Sequence, residues 1–462
     1  MGEPQGDRLN DGWSRGSTLS RRRLLGAAAV GATALAFAGR EGTAPAAAST
    51  SGRIRLPGSL PNPAAPPGTD QVPEIEHIVV VMMENHSFDS MVGMMGRGDG
   101  LSVGRDGKPN VALPDGHGGV VRSFHMPSDC QTQGVSQSWD AGHRAYANGT
   151  NRGFVQASSG EAMGYFLGSD MPFTWGLAKT FPLADRWFCS VLAQTSPNRR
   201  YLISGTSLGL IDDSFPSELP PNGTIFDSLN RYGISWKDYY SDLPSIGNYL
   251  SLLGKPGYSQ GLAKMADFFR DAAAGTLPQF SLIDPNYSSQ SEENPQDVQY
   301  GDQYLAAVVN AVLQGPQWRK TLLIWAYDEW GGWYDHVPPP AAVPPDDVPP
   351  NLPPGSEPGA FDRYGFRVPA GVVSPYAKRD FVSHTVYDHT SILKTVETKW
   401  NLPALTRRDA NAKDVLDMID LKAAPAFLAP PLLPDPADPA TSYRCLITGP
   451  GTIPPASAVH GP

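Results

Sequence analysis

The sequence reads as an α/β protein, a sandwich of helices around a largely parallel sheet, and three observations carry that reading. Residues 78–82 and 322–326 are continuous apolar runs rather than alternating ones, as in strands buried on both faces. An amphipathic helix runs almost directly into the second of them. Polar residues crowd behind both runs, where open α/β sheets gather their functional groups.

The elements follow in order. Ser20-Arg21-Arg22-Arg23-Leu24-Leu25 opens a short apolar run over 24–38, and Pro45-Ala46-Ala47-Ala48 closes it. That layout makes residues 1–48 a signal peptide, and the paired arginines point to the twin-arginine export machinery as a partner of the precursor. The run falls short of the ~20 residues needed to span a bilayer. The expected location is therefore secreted or cell-envelope. Residues 49–73, rich in Pro, Gly and Ala, read as a linker, and residues 74–421 as the catalytic domain. Within it, 78–82, 322–326 and 368–373 are expected strands. Leu305, Val308, Val309, Val312 and Leu313 repeat at the helical period over 302–314, and Gly315-Pro316 stops that helix. Ile392, Val396 and Trp400 mark a second helix. The Pro-rich stretch 338–358 is expected to be a functional or mobile loop. The tail, 422–462, lacks periodicity and is expected to wrap the surface or be disordered.

Composition narrows the class. Of 462 residues, 40% are hydrophobic and 18% charged, with 48 Gly and 46 Pro, which describes a globular chain rich in loops. The formal net charge is -10. Residues 1–48 hold more basic than acidic positions, so the remainder is more acidic still. Such a surface argues against nucleic acid as a partner and slows approach to an anionic membrane, though transient contact with a membrane surface stays open. Cys130, Cys189 and Cys445 lack metal-ligand spacing. They allow one disulfide in an oxidising compartment, in a pairing the sequence leaves open.

Three segments carry chemistry. Glu84-Asn85 follow the first strand, and Asp328-Glu329 the second. Converging on one cation, these oxygen ligands suit a hard divalent ion such as Ca²⁺, Mg²⁺ or Mn²⁺, or Zn²⁺ in a mixed site. Thr195-Ser196-Pro197-Asn198-Arg199 reads as a helix start, with Ser196 as N-cap and Pro197 at the first helical position. Thr195 then sits where free N–H groups and the helix dipole favour an anion. A hydroxyl between such a terminus and a metal is a nucleophile for phosphoryl transfer. Taken one at a time, each segment also fits ordinary loop and helix capping.

Together the segments resemble the bacterial phospholipase C and acid phosphatase family. Glu84-Asn85-His86-Ser87-Phe88-Asp89 is similar to its E-N-R-S-F-D motif, and Thr195-Ser196-Pro197-Asn198-Arg199 to T/S-x-P-N-R. Residues 328–337 resemble D-E-x-G-G-x-x-D-H-V. Gly365-Phe366-Arg367-Val368-Pro369 with Ser374-Pro375 resembles G-x-R-V-P…S-P. The resemblance implies an alkaline-phosphatase-like α/β core and a divalent metal held by Glu84, Asn85, Asp328 and Glu329. It implies Thr195 as nucleophile, and Asn198 and Arg199 as groups that bind the phosphoryl oxygens. His336 and Asp335 would support the site or move protons, His389 would contact substrate, and Arg367 would have a structural or positioning role. The substrate would be a phospholipid or a small phosphate ester, cleaved through a phosphothreonine.

Two departures matter. Gln137 and Asn294 stand where many members carry histidines that contact phosphate or the leaving group. Both can hydrogen-bond but neither is a cationic acid. Proton transfer would then fall to His336, His384, His389 or His125. Trp330, Trp333 and Tyr334 could line a lipid- or aryl-binding cleft or belong to the core. Phospholipase C-like hydrolysis is placed first. A broad-specificity acid phosphatase, or a catalytically weak exported metal- or phosphate-binding homologue, remains open.

Overall fold

The seven-residue strand His77–Met83 (β1) is buried along all but its first residue and lies inside an eight-stranded sheet. Its partners in chain order are Leu183–Ala184 (β2), Trp236–Tyr240 (β3), Leu262–Lys264 (β4), Phe280–Asp284 (β5), Thr321–Tyr327 (β6), Ala370–Val373 (β7) and Val382–Ser383 (β8). The spatial order is β8-β2-β7-β6-β1-β5-β3-β4. All neighbouring pairs are parallel except those made by β7, which runs against both β6 and β2. The computed structural model describes residues 53–131 and 134–438. Residues 1–48, where a signal peptide is expected, and residues 439–462 of the tail lie outside the described residues.

The expected strands are present with two adjustments. β1 and β6 extend the two apolar runs by a residue at each end. The third begins at Ala370 rather than Val368, because Pro369 has no N–H for the ladder and the Val368 N–H donates instead to Trp187 O (2.9 Å). Its antiparallel direction was not legible from an apolar run alone.

Helices cover the sheet. Thr195–Ser204 (α1), Val298–Gln314 (α2) and Thr390–Trp400 (α3) are the three that bear on the site. α2 starts four residues before the expected position: Asp297 caps it by accepting from the Gln299 N–H (2.8 Å), and its first turn is too polar to show in the apolar period. Gly315 is its C-cap, as the Gly-Pro stop predicts.

Residues 53–73 do not stand off the domain as a spacer. Gly58, Asn62 and Gln71 donate backbone hydrogen bonds to Ala404 O, Asn401 Oδ1 and Lys399 O, lashing this segment to the C-terminal end of α3. The Pro-rich loop is likewise pinned, through the Arg407–Asp347 ion pair (2.7 Å) and Arg408 Nε to Val343 O. The described part of the tail wraps the surface: Phe427 is buried and its N–H donates to Pro375 O (3.0 Å). Cys189 is a free, buried thiol, so it is not part of a disulfide, whereas Cys130 is disulfide-bonded. Among the described residues no helix is long and apolar enough to cross a membrane.

Leu305 on α2 is fully buried in the main core. Leu305→Ala is expected to destabilise the protein by about 2–5 kcal/mol, the range for a truncated core leucine. Thermal or urea unfolding of the two proteins measures this, and an unchanged midpoint would contradict the packing described.

Candidate active site

Strand register builds the site. β1 and β6 pair in parallel from His77 opposite Thr321 to Met83 opposite Tyr327. Glu84 and Asp328 therefore leave adjacent strands side by side, and the Asp328 N–H donates to the Met83 carbonyl (3.1 Å). Asn85 next adopts φ 61°, a left-handed conformation that Asn tolerates better than most residues. Gly331 packs on its backbone at φ +65°, where a Cβ would lie 1.8 Å from Asn85 O, so only glycine fits. The Gly331 N–H holds the Glu329 carboxylate (2.8 Å).

These turns bring four oxygens together. Asn85 Oδ1 lies 3.2 Å from Thr195 Oγ1, and the same carboxamide position is 3.1 Å from Asp328 Oδ1 and 2.5 Å from Glu329 Oε1. Alone, the amide would turn its Nδ2 toward these acceptors. A cation among them satisfies all four without that turn. Glu84 Oε2 is buried and has no hydrogen-bond partner among the described residues, a state that calls for a positive group nearby. The oxygens of Asn85, Asp328, Glu329 and Thr195 thus suit a hard divalent cation, and the unpartnered Glu84 Oε2 is a further candidate ligand.

Burial pushes the carboxyls of Glu84, Asp328 and Glu329 above the usual carboxylate range, and the charge of Asp328 pushes Glu84 and Glu329 further. One guanidinium offsets part of this. Arg199, fully buried, donates Nε to Asp328 Oδ2 and Nη1 to Asp284 Oδ1 (3.0 Å each), and lies 3.8 Å from Glu84. Its Nη2 reaches the Met82 and Met83 carbonyls (3.3 Å each), and its face lies against the Tyr287 ring, 4.9 Å from the centroid.

Several expected roles change in this setting. α1 begins at Thr195 itself with Gln194 as N-cap residue, so Ser196 is not the cap. The Ser196 N–H donates to Asp213 Oδ1 (2.9 Å) and Pro197 has no N–H, which leaves the terminus with less to offer an anion than the sequence suggests. Asn198 does not face substrate: its Oδ1 accepts from the Ser190 and Val191 N–H groups, and its Nδ2 donates to Val191, Ala193 and Gln194 carbonyls. It ties down the loop that delivers Thr195. Arg199 has its donors engaged inside the protein and positions carboxylates instead of binding phosphate.

His389 is buried, with Nε2 against Asp328 O (2.5 Å), and burial lowers its pKa to about 4. It is neutral and holds the strand end instead of meeting substrate. His336 sits 2.7 Å from Asp89 and 3.3 Å from Asp99. Burial opposes its proton, but the hydrogen bond and charge of Asp89 prevail and raise it to about 8. Asp335 is held by Arg367 (2.9 Å). Among the described residues no hydrogen bond or ion pair joins His336 or Asp335 to Thr195, Asn85, Asp328 or Glu329. Asp89, Asp335 and His336 offer ligand atoms within 4.8 Å of one another, yet the Arg367 guanidinium already bridges both carboxylates (2.9–3.1 Å). The other two candidate histidines are engaged elsewhere, His384 on Asp185 and His125 on Asp170.

Gln137 is half-buried just before the helix Trp139–Tyr146, with no hydrogen bond to the oxygen cluster among the described residues. Asn294 is half-buried, with a buried Oδ1 that lacks a partner. Its neighbour Glu293 is the residue the sequence reading passed over. Burial, then the charges of Asp328 and Asp213, raise the Glu293 carboxyl to about 7. Glu293 therefore lies within electrostatic reach of Asp328, beside the oxygen cluster, and of Asp213, which accepts from the Ser196 N–H. The acidic pair before Asn294-Pro295 was its sequence signal. Trp330, Trp333 and Tyr334 are core residues, with Trp333 stacked on His86 at 5.3 Å.

Fold and site together define a hydrolase acting on phosphoric ester bonds. The chain belongs to the Phosphoesterase family, whose profile matches residues 75–403. It is 32% identical over 406 residues to non-specific phospholipase C1 of Arabidopsis thaliana, covering 78% of this chain and 74% of that protein. It is 29% identical over 397 residues to phospholipase C A of Mycobacterium tuberculosis, covering 73% and 75%. A solved structure from Vibrio parahaemolyticus, described as a protein in the alkaline phosphatase superfamily, aligns at 11% identity and TM-score 0.39 over 75% of this chain and 71% of that one.

The raised carboxyls predict a linkage. Their folded-state pKa lies above the unfolded one, so the metal-free protein loses stability as pH rises out of the unfolded carboxylate range; for Glu293 the window runs from its ordinary value of 4.5 to about 7. A cation that relieves the repulsion is expected to raise Tm more at about pH 8 than at about pH 5. Melts with and without Mg²⁺, Ca²⁺, Mn²⁺ or Zn²⁺ across that range measure it, and an equal gain at both ends would contradict the site.

Proposed function

We propose that this protein is a metal-dependent, phospholipase C-like phosphoesterase that works through a phosphothreonine at Thr195. The observation that carries the reading is the placement of the Thr195 hydroxyl 3.2 Å from Asn85 Oδ1, at the edge of the Asp328–Glu329 oxygen cluster. When bound there, a divalent cation lowers the pKa of the hydroxyl and offsets charge on the phosphoryl oxygens.

The chain's own residues account for the rest. Thr195 Oγ, its proton lost to solvent, forms a bond to phosphorus while the bond from phosphorus to the ester oxygen breaks. Glu293, protonated near neutrality by its surroundings, supplies the proton that the departing alkoxide needs. Its carboxylate then takes a proton from the water whose oxygen bonds to phosphorus as the Thr195 Oγ–P bond breaks, and the departing Thr195 oxygen regains its proton from solvent. Asn198 and Arg199 hold the nucleophile and the carboxylates in register for both steps. Lipid phosphodiesters are placed ahead of small phosphate esters, since the relatives named above are phospholipases C.

Thr195→Ala is expected to lower turnover at least ~10³-fold while the cation-dependent rise in Tm persists. The assay uses p-nitrophenyl phosphate, its choline diester and phosphatidylcholine with each metal in turn. Activity on none of them, or a Thr195→Ala protein as active as wild type, would sink the proposal, and the pattern of substrates separates phospholipase from phosphatase.

Export by the twin-arginine route belongs to the same reading and is supported by residues 20–48 alone. Replacing Arg21 and Arg22 with lysine is expected to leave the precursor in the cytoplasm of a bacterial host with that machinery, as fractionation would show; unimpaired export would refute the assignment.

A further inference from the structure

Thr195 opens onto an apolar hollow that catalysis does not require. A cavity of about 190 Å³ lies beside the nucleophile, with Thr195, Ser196 and Tyr287 on its floor. Leu243, Pro244, Leu250, Leu253 and Phe215 form its walls. The segment bearing these leucines is anchored to the site, because the Ser245 N–H and Oγ both donate to Asp284 (2.6 and 2.7 Å), the carboxylate that pairs with Arg199. The hollow is thus held in fixed relation to the nucleophile.

Its rim faces water. Leu243 is 63% exposed, Phe215 56% and Leu250 53%. Scattered exposed leucines are ordinary, but an apolar patch that rims an active-site hollow marks a binding surface. Size sets what the hollow can hold. An apolar cavity of about 150 Å³ takes a benzene ring, so this one accepts a short alkyl segment and not two acyl chains. Longer chains must leave across the rim. The loop that carries Phe215 also carries Asp212, Asp213 and Glu218, and the whole chain is at -10. An anionic layer would be repelled, whereas a zwitterionic one would not.

We propose that this cavity receives the apolar stem of the alcohol esterified to phosphate, and that Phe215, Leu243 and Leu250 seat in a zwitterionic lipid layer while it does so. The cavity's role rests on the phosphoesterase reading; the seating of the rim does not. The rim keeps the chains in lipid, the cavity draws the ester bond to Thr195, and the head group stays on the open side of the site.

Two variants and two readouts test this. The rim variant combines Phe215→Ser, Leu243→Ser and Leu250→Ser, all at exposed positions. The filling variant is Gly247→Leu: Gly247 lines the cavity, and a Cβ there meets nothing closer than 3.9 Å. The first readout is the ratio of kcat/KM for phosphatidylcholine vesicles to that for glycerophosphocholine, which has no chains. Both variants are expected to lower that ratio ~10-fold or more, and an unchanged ratio in both overturns the proposal. The second readout is co-sedimentation of the Thr195→Ala protein with phosphatidylcholine vesicles, which needs no turnover. The rim substitutions are expected to abolish it. Binding that survives them overturns the seating, as does a wild-type dimer that the rim substitutions dissociate without any vesicle binding. If wild type turns over no substrate yet binds vesicles through the rim, the surface stands and the phosphoesterase reading falls.

Discussion

The site depends on one buried cation, the Arg199 guanidinium. Three neighbouring strands, β6, β1 and β5, bring Asp328, Glu84 and Asp284 to one place, and all three carboxylates lie in the interior. Left together they would repel one another in a medium that screens weakly. Arg199 bonds two of them and approaches the third, and it also caps the Met82 and Met83 carbonyls. Since Arg199 stands one turn after Thr195 on α1, the same contacts that make the carboxylates tolerable also fix the height of the Thr195 hydroxyl above the strand ends. Positioning and charge balance are a single interaction.

One guanidinium does not finish the neutralisation. Glu84, Asp328 and Glu329 remain pushed toward their protonated forms, and Glu293 and Asp213 add charge at the rim. The residual deficit of positive charge is what a divalent cation would relieve, and it sits where Asn85 and Thr195 supply neutral oxygens. Burial raises the Glu293 carboxyl first and the charges of Asp328 and Asp213 add to it, so the proposed acid shares its electrostatic setting with the proposed metal site. A histidine is not required where a carboxyl is held near neutrality by its neighbours.

The remaining polar residues of the motifs serve the frame. Asp89, Asp335 and Arg367 form a fully buried ion-pair network with His336 at its edge. It ties the turn after β1 to the loop after β6 and to the approach to β7. Asn198 and His389 act likewise on the loop before α1 and on the end of β6. Breaking such buried pairs on one side leaves an uncompensated charge, which typically costs about 3–5 kcal/mol.

The sequence by itself determined three of the eight sheet strands and the helices α2 and α3, and it named the candidate ligands. Continuous apolar runs identify buried strands because both faces are covered, and polar residues at their ends identify the site because strand ends are where a buried sheet meets solvent. Glu84, Asn85, Asp328 and Glu329 were readable on those grounds, and Thr195 from the helix start at 195–199. Only the tertiary structure decided which polar groups face outward. Asn198, Arg199, His336 and His389 carry functional residue types, but their hydrogen-bonding capacity is consumed by the loop just before α1 for Asn198 and by backbone and carboxylates far away in sequence for the other three. Glu293 became a candidate acid through its burial and then the charges of Asp328 and Asp213, none of which a linear pattern shows. The apolar hollow at Thr195 likewise draws its walls from 215 and 243–253, segments without periodic signal. Hydrogen-bond satisfaction and electrostatic crowding are sums over spatial neighbours, and a linear pattern does not contain them.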